Sequence, residues 1–158
     1  DHTLGLKSYD KEHIYMNLDD EFLARNPKEQ LSSFLLEAMN SPMKSNDINL
    51  DSYEGSLIDI FDHSFNTLKV LKNPGHTKGS VSFEFDKLGA VFTGDFVFAE
   101  GIGRTDLFSG SSVDMKESIN TVFLKLDSEY DIFPGHGKSD SVKNILKYNS
   151  YLWEFLND

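Results

Sequence analysis

Five residues of metal-binding type stand where the chain must turn. Asp1-His2 opens it, His76 follows Pro74-Gly75, Asp95 follows Gly94, and His136 lies within Pro134-Gly135-His136-Gly137. Glycine-rich turns at strand ends let the backbone bring a ligand into a shared cleft without a bulky Cβ in the way. Three His and two Asp meeting at one sheet edge would suit a site for two divalent cations with nitrogen and oxygen ligands. Taken singly, each has a plainer reading. A His after a strand is more often a structural or surface residue, and an Asp after Gly is more often part of a turn. The case rests on the set. Cysteine is absent, which excludes disulfides, thiolate ligands and cysteine nucleophiles. Any metal must therefore be held by His, Asp or Glu.

The elements that would carry these residues follow from periodicity and turn signals. Residues 3 to 10 read as a short helix and 13 to 16 as a short strand. Asn26-Pro27 with Glu29 supplies a capping side chain, a proline at the first helical position and an early acid, so a helix is predicted over 27–39 with Leu31, Phe34, Leu35, Ala38 and Met39 on one face. Residues 41 to 53 read as a loop. The texture then changes to short β-prone runs, with strands predicted at 57–61, 67–71, 80–85 and 90–93 and a hairpin turn at Asp86-Lys87-Leu88-Gly89. Ser111 can cap a helix whose Met115, Ile119, Val122, Phe123 and Leu126 share a face. A strand at 130–133 leads into Pro134-Gly135-His136-Gly137, and a last helix runs from about Ser139 to Tyr148 with further turns towards Trp153. This order indicates an α/β layered domain in which helices cover a mixed sheet.

At 158 residues the chain suits one domain, 1–158, with a sizeable core. It carries 26 acidic and 15 basic residues, a formal charge of −11, and no Lys/Arg run long enough to track a phosphate backbone. Nucleic acid is a poor partner on that ground. No stretch approaches the roughly 20 apolar residues of a membrane span, and a small-molecule substrate in the cytoplasm is the expectation. The first residue is Asp1 rather than Met, which leaves room for upstream residues, a signal or transit segment among them.

As a set, the motifs resemble the metallo-β-lactamase superfamily, and within it the glyoxalase II-like (hydroxyacylglutathione hydrolase-like) branch. Asn73-Pro74-Gly75-His76-Thr77-Lys78-Gly79-Ser80 is similar to that family's third histidine motif. Phe92-Thr93-Gly94-Asp95-Phe96-Val97-Phe98 resembles the segment whose Asp bridges two metals. Gly101-Ile102-Gly103-Arg104-Thr105-Asp106 resembles a glycine-rich, Arg-containing loop of the branch, and Phe133-Pro134-Gly135-His136-Gly137 its last metal motif. Asp1-His2-Thr3-Leu4-Gly5 matches only the tail of the family's H-x-H-x-D-H motif. The implied fold is an αββα sandwich lacking its N-terminal strands.

The resemblance also implies roles. The first metal site would comprise two upstream histidines, His76 and the bridging Asp95. The second would comprise Asp1, His2, Asp95 and His136, with zinc expected and iron or manganese as alternatives. Asp1 and Asp95 would be the catalytic carboxylates. Two cations about 3.5 Å apart would bring a bridging water towards hydroxide at neutral pH for attack on a thioester or related small ester. An iron-dependent persulfide dioxygenase and a non-catalytic metal-binding module are the competing readings, and the 158 residues alone are expected to be inactive and to self-associate, a homo-oligomer being one form this could take. His13 and His63 match no metal position and read as surface or strand-end residues. Arg104 reads as bracing its loop through Asp106 or a carbonyl, with anion binding as the alternative. Thr77 and Ser80 should cap the turn after His76, and Tyr148, Tyr151 and Trp153 read as core packing.

Overall fold

A computed structural model describes residues 14–26, 53 and 55–158. Asp1, His2, His13 and the helices expected over 3–10 and 27–39 lie outside the described residues. The chain divides into two compact units, Asp1–Asp62 and His63–Asp158.

In the first unit, β1 (Tyr15–Met16) pairs in parallel with β2 (Ile58–Asp59), Tyr15 opposite Ile58. Asn17 caps the 3-10 turn Leu18–Asp20 by accepting a hydrogen bond from the Asp19 N–H. That turn leads into helix α1 (Glu21–Arg25). Arg25 donates from Nε to Glu21 Oε1 (2.9 Å) and from Nη1 to the Tyr53 carbonyl (3.0 Å), tying the helix end to the strand-bearing segment. The strand expected over 57–61 stops at Asp59. Its carboxylate accepts from the Phe61 N–H (3.0 Å), a local bond that competes with a sheet ladder and winds Ile60–Asp62 into a 3-10 turn.

The second unit is built on a mixed sheet in the order β3-β4-β5-β8-β9, with β3 Lys69–Lys72, β4 Val81–Phe85, β5 Ala90–Gly94, β8 Asp131–Pro134 and β9 Asp140–Ser141. All neighbours are antiparallel except β5 and β8. A parallel pair needs a long crossover, and helix α2 (Ser112–Thr121) lies within it. The expected turn after β4 forms as a 3-10 turn, Asp86–Leu88, closed by Gly89 in the left-handed region. Strand alternation separates two faces. Val91 and Ile132 are paired and fully buried, joining Phe96, Val97, Met115, Ile119, Phe123, Val142, Ile145 and Leu152 in one core. On the other face Phe83 pairs with Phe92 and Phe92 with Phe133. The Phe92 and Phe133 rings stack at 5.1 Å and remain exposed.

The helices differ from expectation in ways their caps explain. Ser111 caps α2 as predicted, accepting from the Asp114 N–H (3.1 Å). The helix ends at Thr121, however, and Phe123–Lys125 form a 3-10 turn, so Leu126 meets the core from extended backbone. The final helix begins at Val142 because Asp140 and Ser141 first pair with Ile132 and Asp131 as β9. Helix α3 (Val142–Tyr148) and helix α4 (Ser150–Asn157) are separate, divided at Asn149, whose ψ of 85° is not helical. That break resets the helical phase. Leu152 is buried, whereas Tyr148, Tyr151 and Trp153 are exposed, which corrects their reading as core packing. Among the described residues no helix is long and apolar enough to cross a membrane.

Candidate metal centre

Three of the five expected ligands fall within the described residues, and the turns that carry them converge. His76 follows β3 in a loop fastened to α2: the Ser118 hydroxyl donates to the Pro74 carbonyl (2.7 Å), and the Ser111 N–H donates to the Gly75 carbonyl (2.8 Å). Gly75 has φ 148° and backs directly onto the Met115 backbone, where a Cβ would collide. Past His76 the turn closes as expected, with the Thr77 N–H donating to Ser80 Oγ (3.1 Å) and the two hydroxyls 2.8 Å apart.

Asp95 leaves β5 after Gly94, whose φ of 52° suits glycine. His136 leaves the neighbouring strand β8, and the Gly135 N–H donates to the Gly94 carbonyl (2.8 Å), locking the two turns side by side. The parallel pairing of β5 and β8 thus brings Asp95 and His136 to the same sheet end.

The Nε2 atoms of His76 and His136 stand 3.5 and 3.6 Å from the same oxygen, Asp95 Oδ2. The Asp95 side chain is 13% exposed, His76 21% and His136 57%. His76 Nδ1 lies 2.7 Å from the Arg104 carbonyl. A carbonyl can only accept, so Nδ1 carries a proton, and in the neutral ring Nε2 is then the nitrogen whose lone pair faces Asp95. A lone pair and a carboxylate oxygen repel at this separation unless a proton or a metal cation lies between them. For metal bonds of about 2.1 Å at tetrahedral angles, neighbouring ligand atoms stand roughly 3.4 Å apart, close to both observed spacings. The donor set therefore fits a hard or borderline divalent cation. Among the described residues, no group of three or more His, Asp or Glu side chains forms a site that could hold a metal ion. His76 and His136 are each paired with Asp95, as two cations sharing that carboxylate would require, and Asp1 and His2 lie outside the described residues.

The surrounding residues hold this geometry. Arg104 forms a bidentate fork with Asp106, Nε to Oδ1 at 2.9 Å and Nη2 to Oδ2 at 2.7 Å. The fork holds the Asp106 carboxyl below its ordinary pKa. Arg104 thus braces its loop, and its carbonyl orients His76. Gly103 comes so close to the Asp95 carbonyl that a Cβ would overlap it. His63 is exposed and stacks edge-on with Phe65, apart from the centre.

Sequence reading missed a short antiparallel ribbon, β6 (Val97–Phe98) and β7 (Gly101–Ile102). Asn149, 1% exposed, clamps it by donating from Nδ2 to the Phe98 (3.1 Å) and Gly101 (3.0 Å) carbonyls while its Oδ1 caps α4 at Leu152. Two-residue strands carry no periodicity, and the cap at Asn149 was the signal available. The ribbon and the turn after His136 border an open cavity of about 490 Å³.

A family model described as the metallo-beta-lactamase superfamily matches residues 1–136. The chain is 42% identical over 87 residues to an uncharacterized protein of Mycobacterium leprae, covering 54% of this chain and 40% of the relative. It is 31% identical over 136 residues to the hydroxyacylglutathione hydrolase GloC of Haemophilus influenzae, covering 86% of this chain and 61% of the relative. The crystal structure of the BLEG-1 B3 metallo-beta-lactamase shares the fold with a TM-score of 0.67 at 24% identity, over 87% of this chain and 64% of that one. The chain thus spans less than two thirds of the length of each.

Proposed function

The chain belongs to the metallo-beta-lactamase superfamily, and from that premise we propose that the protein is a metal-dependent hydrolase of the glyoxalase II-like branch, acting on a thioester or related small ester. The observation that carries this reading is the pair of imidazole Nε2 atoms 3.5 and 3.6 Å from one Asp95 oxygen, with the His76 proton committed to the Arg104 carbonyl. Similarity to a relative named hydroxyacylglutathione hydrolase supports it.

His76 and Asp95 would hold one cation, and Asp1, His2, Asp95 and His136 a second. Such cations, when bound, supply Lewis acidity towards a carbonyl and lower the pKa of water. The chain's own work is positional. The Arg104 carbonyl keeps His76 in the tautomer whose Nε2 can coordinate, which is how outer partners tune a ligand. Asp95, largely buried, offers one oxygen to both imidazole sites. Zinc is the proposed metal, with iron and manganese as alternatives suited to the same donors.

Asp95→Ala in the full-length protein should abolish thioester hydrolysis and lower the bound metal measured by elemental analysis. Intact turnover in that variant would defeat the proposal. Two imidazoles and one carboxylate are also the ligand types of a single non-haem iron centre, which keeps a persulfide dioxygenase as the second reading. Oxygen consumption with a persulfide and one iron per chain would select it.

A further inference from the structure

The cavity beside His136 lies between the ribbon residues Phe98 to Gly101 and the turn from His136 to Lys138. It is a built feature. The buried Asn149 spends both amide hydrogens on the two ribbon carbonyls. The Phe98 ring meets His136 edge-on at 6.4 Å, so an apolar wall begins at the metal ligand itself. At the rim, Lys138 Nζ donates to Glu100 Oε1 at 2.7 Å, with both side chains largely exposed.

An ammonium has three donors, and Glu100 occupies one of them. The carboxylate therefore positions the head of Lys138, a residue of the cavity lining, without exhausting its donors. Exposed ion pairs contribute little, because water and salt screen them, so a ligand anion can share or replace Glu100 at small cost.

We propose that this cavity is the acyl subsite of the enzyme and that it selects acyl groups ending in a carboxylate, with the carbon chain lying along Phe98 and Ala99 and the terminal anion at Lys138. The assignment rests on the hydrolase reading for its substrate class, but the recognition itself is a binding property. Glu100 is a positioning residue and Lys138 the specificity-determining one.

The test uses full-length, metal-loaded protein and two thioesters of N-acetylcysteamine with acyl chains of equal length, glutaryl and pentanoyl. In parallel, calorimetry measures binding of the free acids, glutarate and pentanoate. Wild type should favour the glutaryl compound in kcat/KM and glutarate in binding. Lys138→Met should reduce both preferences by roughly fivefold, the size expected for one partly solvated charge contact, and Lys138→Arg should retain most of them. Equal binding of the two acids by wild type, or a preference undiminished in Lys138→Met, would overturn the subsite. A calorimetric preference without turnover of either thioester would uphold the subsite and remove the hydrolase reading, whereas turnover without preference would do the reverse.

Discussion

At Gly103 the demand on a single residue is sharpest, because any side chain would overlap the Asp95 carbonyl and press on the His76 Cβ. Gly103→Ala should displace the loop whose Arg104 carbonyl orients His76, and misplacing an outer partner of a metal ligand typically costs about 10–100-fold in affinity. A zinc competition titration against a chelator would check this, and unchanged affinity would argue that the loop is a bystander. That the turns bearing His76, Asp95 and His136 converge was legible in the sequence, because Gly and Pro mark those turns at strand ends. Their supporting contacts were only partly so. Arg104 bracing its loop through Asp106 or a carbonyl was the expectation, and Asp106 is the partner; the role of the Arg104 carbonyl was not foreseen, since a backbone atom's partner leaves no mark on residue type.

Among the elements, Asn149 joins more than its size suggests. It ends α3, caps α4 and holds the β6–β7 ribbon through two amide hydrogen bonds. Asn149→Ala removes a helix cap and leaves two part-buried carbonyls without these donors, so the loss should be about 1–3 kcal/mol. Urea unfolding would measure it, and a change below about 0.5 kcal/mol, the range of an inconsequential surface substitution, would contradict the role given to Asn149. The β4–β5 hairpin, α2 and its Ser111 cap were readable from local patterns. The division of the last helix was not, because Tyr148, Tyr151 and Trp153 keep near-helical spacing across a break that only the backbone at Asn149 reveals. The boundary at Val142 was hidden for a different reason: Asp140 and Ser141 pair with the preceding strand β8, which takes the first residues a helical pattern would claim.

Across the whole molecule, the mixed α/β class followed from the order of elements, and the family match covers the motifs that suggested it. Stability at high pH gives a check on the second unit. The Tyr130 hydroxyl donates to the Asp86 carboxylate, joining the start of β8 to the turn after β4, and this bond raises the phenol from its ordinary 10.0 to about 12. Between those values the folded chain holds a proton that the unfolded chain has released, so stability should fall as pH rises through that window. Below the unfolded pKa the contribution is complete. Tyr130→Phe should flatten the decline, as read by thermal melts across the alkaline range, and an identical decline in both proteins would place the cause elsewhere.

The central claim is that imidazoles from two distant turns and the Asp95 carboxylate grip cations together. The most direct measurement is an anomalous difference map from crystals of the zinc-loaded, full-length protein. Two peaks are predicted, one about 2.0–2.1 Å from His76 Nε2 and the other as close to His136 Nε2, each within about 2.0–2.2 Å of an Asp95 oxygen. A fully loaded crystal with its zinc bound elsewhere, or with Asp95 turned away from both peaks, would contradict the account.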